Sequence, residues 1–243
     1  VITPEKILIL DPEYQRQYDA FDVFGDSKSK GSGPARNFAW DHSIANGYEW
    51  HWCMDDNIRA FYRLHNNTKY KVNNVVFFRI MEDFVERYVN VGMAGPNYFC
   101  FAPRKRKIPP FILNTKVYSC NFIRNDLPLR WRGRYNEDVD ISLRILKMGW
   151  VTIQFNAFLQ NKPRTQTMKG GNTEETYKEN PIRIAQTRML TEMHPDVVSP
   201  VWKFQRVHHK VDYRPFKKNK LIRKPNIELN KGVNNYGMVL RHA

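Results

Sequence analysis

Two short acidic runs carry the residue types best suited to chemistry. The first, Asp55-Asp56-Asn57, sets two carboxylates and an amide oxygen side by side, the hard oxygen ligands that a divalent cation takes. It follows an aromatic-rich stretch, Tyr48 to Met54, that reads as a strand, so these oxygens are delivered at a strand exit. A cation held there can bridge a diphosphate. In isolation an acidic turn accounts for the same residues, because Asp and Asn favour turns through local hydrogen bonds. The second run, Asn136-Glu137-Asp138-Val139-Asp140, stands roughly eighty residues downstream at the start of a helical pattern. The helix dipole favours carboxylates there, and capping alone explains them. In an enclosed site such a carboxylate can also take a proton from a hydroxyl.

The elements that position these runs follow from periodicity. Lys6-Ile-Leu-Ile-Leu10 reads as a buried first strand ended by Asp11-Pro12, which places Asp11 at a strand exit too. Gly25 to Pro34 is a Gly/Ser/Lys loop, and Ala35 to Asn46 a helix stopped at Gly47. Phe77, Ile80, Met81, Phe84, Val85 and Tyr88 recur at helical spacing, so their stripe is core. Tyr98 to Ala102 and Val117 to Ile123 read as strands. Asn136 opens a helix that turns Val139, Leu143 and Leu146 inward and ends at Gly149. Trp150 to Leu159 is a strand, and Pro181 to Met193 a helix. Strands alternating with helices predict an α/β fold, a mostly parallel sheet flanked by helices, with ligands beyond the carboxyl ends of the strands.

At 243 residues and 42% hydrophobic content the chain suits one α/β domain over residues 1–210, followed by a basic C-terminal extension over 211–243. Against 24 acidic residues stand 39 Lys and Arg, a formal charge of +15 that attracts polyanions, nucleic acid first. Placement says more than the total. Lys203 to Lys224 holds nine Lys or Arg against Asp212 alone, interleaved with Trp202, Phe204, Tyr213 and Phe216, a mixture suited to phosphate contact and base stacking. Arg124, Arg130, Arg132, Arg134 and Trp131 lead directly into the second acidic run. The three cysteines, Cys53, Cys100 and Cys120, form no CxxC pair and suggest neither a disulfide framework nor zinc, as expected of a reducing compartment. No apolar run is long enough to span a bilayer, so a soluble protein of the cytoplasm is expected.

The order Pro34-Ala-Arg36-Asn37, then Trp50-His-Trp-Cys-Met-Asp55-Asp56-Asn57, then Tyr135-Asn-Glu137-Asp138-Val-Asp-Ile-Ser-Leu-Arg144 with Gly149 resembles the motif set of family-2-like GT-A glycosyltransferases. Lys162-Pro-Arg164, Thr165 to Thr167, Lys169-Gly-Gly-Asn172 and Tyr177 are similar to the TET/JBP-associated members, which occur in bacteriophages and modify hydroxymethylated bases in DNA. That resemblance implies a Rossmann-like GT-A fold, an inverting reaction, a divalent metal (Mn2+ or Mg2+) and a nucleotide-sugar donor, with UDP-glucose the family default. It implies that Asp55 and Asp56 hold donor and metal, with Asn57 and His208 as further metal ligands. It also implies that Arg36, Asn37 and Lys169 lie along the donor with Asp11 near its nucleobase, and that the Glu137-Asp138 pair supplies the base, Asp138 deprotonating the acceptor. The implied acceptor is 5-hydroxymethylcytosine in DNA. Asn57 departs from the family's third carboxylate and is a weaker ligand. Two rival readings stay open: a protein or glycan hydroxyl as acceptor, or a nucleic-acid-binding module without catalysis.

Overall fold

The computed structural model describes residues 3–18, 31–103, 107–163, 180–203 and 205–227. Inter-residue contacts group the chain into two compact units, one of residues 1–51, 125–144 and 164–214, the other of 52–124, 145–163 and 215–243. The elements in chain order are α1 (Pro12–Gln17), α2 (Gly33–Ala45), β1 (Trp50–Met54), β2 (Ala60–His65), β3 (Thr68–Val72), α3 (Val76–Val85), β4 (Val91–Tyr98), β5 (Phe111–Leu113), β6 (Cys120–Arg124), α4 (Glu137–Lys147), β7 (Val151–Asn161), α5 (Asn180–Met193), β8 (Val198–Lys203) and β9 (Arg206–Val211). This is the mixed α/β architecture that strand-helix alternation predicts.

The main sheet runs β1-β6-β4-β7-β2-β3, with β5 paired to β7 off this path. It is mixed: β4 and β7 are parallel at its centre, whereas β6 on β4, and β2 and β5 on β7, are antiparallel. β7 explains the arrangement. It is buried along nearly its whole length, and its inward amide N–H groups are bonded: Gln160 donates to the carbonyls of Pro96 (3.1 Å) and Tyr118 (2.8 Å), and Asn156 donates to Pro109 (2.9 Å). Buried amides left unbonded would each cost about 1–3 kcal/mol, so these bonds hold the strand in one register. α3 lays Phe77, Met81 and Val85 on the sheet, each at most 1% exposed, against the buried β4 and β7. Each such side chain contributes about 1.5–3 kcal/mol of burial.

Two local expectations change, and one hairpin is added. Ile7 to Leu10 belongs to no strand, and Ile7, Leu8 and Ile9 are 59%, 45% and 80% exposed. An apolar run becomes a strand when another strand pairs with it, and among the described residues none does. Tyr98 to Ala102 is the end of β4 followed by a 3-10 turn, Phe99–Phe101. Pro96 cannot donate to the ladder, the register with β7 slips at Pro96/Asn97, and the strand stops soon after. The β2–β3 hairpin, not anticipated, turns on Asn66 and Asn67, both with positive φ (47° and 61°), as a tight hairpin turn demands.

In the other unit α2 buries Trp40, while Met189 and Leu190 of α5 are fully buried. β8 and β9 form a separate antiparallel hairpin. No helix among the described residues is long and apolar enough to cross a membrane.

Candidate active site

β1 delivers its oxygens from a rigid base. Trp52 stacks on Phe122 (centroids 4.8 Å apart, planes at 27°), meets Phe78 edge-on at 5.0 Å, and donates its indole N–H to Glu82 at 2.7 Å. The chain then turns at Asp55, whose backbone N–H donates to the Ser119 carbonyl (2.7 Å). The Asp55 carboxylate accepts from Lys162 Nζ at 2.8 Å; Lys162 also donates to Ser119 Oγ (3.0 Å), which lies 2.5 Å from the Tyr98 hydroxyl. Ser119 holds a positive φ of 67°. Next to it, burial and then the Asp55 and Cys53 charges push the Cys120 thiol well above its usual range, so it stays protonated. β6 can approach here because position 95 is glycine: a Cβ would stand 2.1 Å from the Cys120 carbonyl oxygen.

Asp56 is exposed and makes no ion pair among the described residues. Asn57 Oδ1 is buried with no hydrogen-bond donor among the described residues. An orphaned amide oxygen beside an open carboxylate fits a hard cation of the Mg2+ type, which keeps waters and substrate phosphates and asks little of the protein. Among the described residues no three His, Cys, Asp or Glu side chains group together.

The second acidic run is built differently. Asn136 takes a positive φ of 56°, its carbonyl receives the N–H groups of Val139 and Asp140 (both 2.9 Å), and its side chain donates to the Gln186 carbonyl (3.1 Å) rather than capping α4. Arg36 Nη1 reaches both Glu137 Oε1 (3.2 Å) and Asp138 Oδ1 (3.1 Å), and Ser32 Oγ donates to Glu137 (3.2 Å). The Arg36 guanidinium lies 4.7 Å over the Trp131 ring. Asn37 clamps the backbone of that tryptophan, donating to its carbonyl (2.9 Å) and accepting from its N–H (2.8 Å). Glu137 and Asp138 keep 19% and 17% side-chain exposure, so both can meet a ligand while their orientation is held.

Asp140, on the same helix turn, is fully buried. Its carboxylate accepts from Arg132 Nε and Nη2 (3.0–3.2 Å), His194 Nε2 (2.8 Å) and Arg144 Nη1 (3.4 Å). Burial alone would raise its pKa, but the His194 and Arg132 hydrogen bonds and the Arg132 and Arg144 charges outweigh burial and hold it below the ordinary value.

Of the other expected site residues, Asp11 caps α1, accepting from the Glu13 N–H at 2.8 Å. Lys169 lies outside the described residues. His208 sits on β9 opposite Val201, and its Nε2 accepts from Arg206 Nε at 3.0 Å, so that nitrogen faces a cationic group. Sequence reasoning missed the roles of Ser119 and Tyr98 around Lys162, and of His194 beneath Asp140.

A family model described as TET-Associated Glycosyltransferase matches residues 4–171, more than half of the chain. The chain belongs to that family. Comparisons with curated proteins and with solved structures found no match. The matched residues of this TET-associated glycosyltransferase include both acidic runs, Arg36, Lys162 and Lys169, and exclude His208. Membership makes the protein a glycosyltransferase, and its mixed α/β sheet flanked by helices is consistent with the GT-A fold that the resemblance implies.

Proposed function

We propose that this TET-associated glycosyltransferase moves a hexose, glucose from UDP-glucose first among candidates, onto the hydroxymethyl group of 5-hydroxymethylcytosine in DNA, with inversion at the anomeric carbon. The observation that carries the reading is Arg36 bonding Glu137 and Asp138 together at the start of α4, since a base must be aimed before it can act. Asp138 takes the hydroxyl proton as the acceptor oxygen forms its bond to the anomeric carbon and the bond from that carbon to the donor phosphate oxygen breaks. Glu137, tied to the same guanidinium, keeps Asp138 in place. Lys162, already on Asp55, is a cation suited to the phosphates of the donor. Asp56 and Asn57, with Asp55, are the residues that would hold Mn2+ or Mg2+, which would offset charge on the departing diphosphate.

DNA as acceptor rests on the formal charge of +15 and on the arginine run 130–134 leading into α4. A target base in a duplex has to leave the stack to reach Asp138. Mass spectrometry of hydroxymethylcytosine-containing DNA, incubated with a panel of nucleotide sugars and Mn2+, tests the whole reading. The expected product carries one added hexose per modified base. No added mass with any donor, while a known base glucosyltransferase modifies the same DNA, overturns it.

A further inference from the structure

A cavity of about 360 Å³ opens in the unit that carries α1, α2 and the start of α4, walled by Arg130, Arg132, Arg144, Tyr14, Gln17 and Trp131. Asn37, which the family resemblance sets along the donor, also lines it, but its amide is spent on the Trp131 backbone; the three arginines have no role assigned above at donor or base. The three guanidinium groups are fixed before any ligand arrives. Arg130 donates Nε and Nη2 to Asp41 (2.9 and 2.7 Å) and packs 5.0 Å from the Trp40 ring. Arg132 lies side-on against buried Asp140 through Nε and Nη2. Arg144 Nη1 is shared between the Arg130 carbonyl (2.8 Å) and Asp140 (3.4 Å). Nη1 of Arg132 and Nη2 of Arg144 make no hydrogen bond among the described residues, so both have donors to spare.

We propose that this cavity seats a phosphodiester group of the acceptor strand next to the target nucleotide, an inference that rests on the DNA reading above. Three guanidinium groups against the carboxylates of Asp41 and Asp140 leave one net positive charge, which matches the single charge of a phosphodiester. A nucleotide diphosphate carries more charge than that and is ordinarily held with a metal; both carboxylates here are spent on arginines, leaving none for a cation. The volume exceeds what a lone anion needs and falls in the range of sites that take a small organic group, so a phosphate with its flanking sugar fits against Tyr14 and Trp131. The place is also coupled to chemistry. Asn37 holds Trp131 in the cavity wall while its neighbour Arg36 holds Glu137 and Asp138, so a strand gripped at 130–132 is presented to the same helix start.

The test uses the full chain and a fluorescent hydroxymethylcytosine duplex, with anisotropy measured across a salt series. Gln17→Glu puts a negative charge in the cavity without touching the three arginine pairs, and Arg130→Gln removes the one arginine of the three that does not bond buried Asp140. Each variant is expected to bind DNA roughly tenfold more weakly, and Arg130→Gln to lower the slope of log K against log salt by about 0.9, one phosphate contact fewer. UDP-glucose binding, followed by calorimetry with Mn2+, should be unchanged in both. Equal DNA affinity and slope in wild type and variants overturn the cavity assignment and leave the acceptor reading standing. Loss of UDP-glucose binding with DNA binding intact gives the cavity to the donor and overturns it as well. Wild-type protein with no salt-sensitive affinity for DNA sinks the acceptor reading and this inference together.

Discussion

The turn after β1 and the first turn of α4 are both short acidic runs, yet the chain surrounds them in opposite ways. At α4, Arg36 serves Glu137 and Asp138 while Arg132, Arg144 and His194 converge on Asp140. At β1, Lys162 meets Asp55, Asp56 stays exposed, and Asn57 keeps an oxygen without a donor among the described residues. Acidity alone therefore says little about role. Carboxylates already matched with guanidinium groups are oriented groups or anchors, and oxygens left short of positive charge are places for a cation to bind.

Breaking the α4 side of this contrast should have the largest effect. Asp138→Asn removes the proton acceptor but keeps the shape, so turnover should fall by about 10²–10⁴-fold with donor affinity preserved, as read from initial rates beside calorimetry. Wild-type turnover would withdraw the base assignment. Asp140→Asn tests whether the third acid is an anchor instead. Leaving Arg132 and Arg144 without their buried partner should cost about 3–5 kcal/mol, a fall in Tm of roughly 6–20 °C in calorimetric unfolding. An unchanged Tm would mean that Asp140 is not structural.

On the β1 side, Asn57→Ala should weaken Mn2+-dependent donor binding roughly tenfold, about 1.4 kcal/mol for one lost oxygen ligand, and Asn57→Asp should strengthen it. Equal metal dependence in all three proteins would remove Asn57 from the site. The smallest effect is one of pH. His51, bonded to Asn125 at 2.7 Å, has its pKa lowered chiefly by burial, and Asp140 is lowered as described. A depressed folded-state pKa means stability that is present above the unfolded value and lost on acidification. Stability should decline modestly as pH falls below about 6.5 and more steeply below about 4, the unperturbed His and Asp values. His51→Gln should erase the upper decline in urea titrations; a decline that survives the substitution has another source.

Much of this was legible beforehand, and the gaps have physical causes. The Phe77-Met81-Val85 stripe announced α3 because helical burial leaves a periodic mark. Ile7 to Ile9 carried an equally apolar mark and stayed exposed, because strands depend on partners that local composition does not report. Both acidic runs stood out by residue type, and Arg36 by its motif. Lys162 joins Asp55 across 107 residues, and His194 joins Asp140 across 54; such pairings leave no local signal. Nor could Asp140 be told from Glu137 and Asp138 on paper, since an acidic residue near a helix start reads as a dipole partner whether it faces water or core.

Among the described residues β3 ends the main sheet, and the outer side of such a strand offers backbone groups to any extended chain that drifts by. Lys71 stands exposed on that strand, and Lys69 is drawn off to the Phe99 carbonyl. A second molecule adding itself there would have to strip water from the Lys71 ammonium for a few backbone bonds. A well-hydrated charge on the last strand thus opposes end-to-end polymerisation at high concentration.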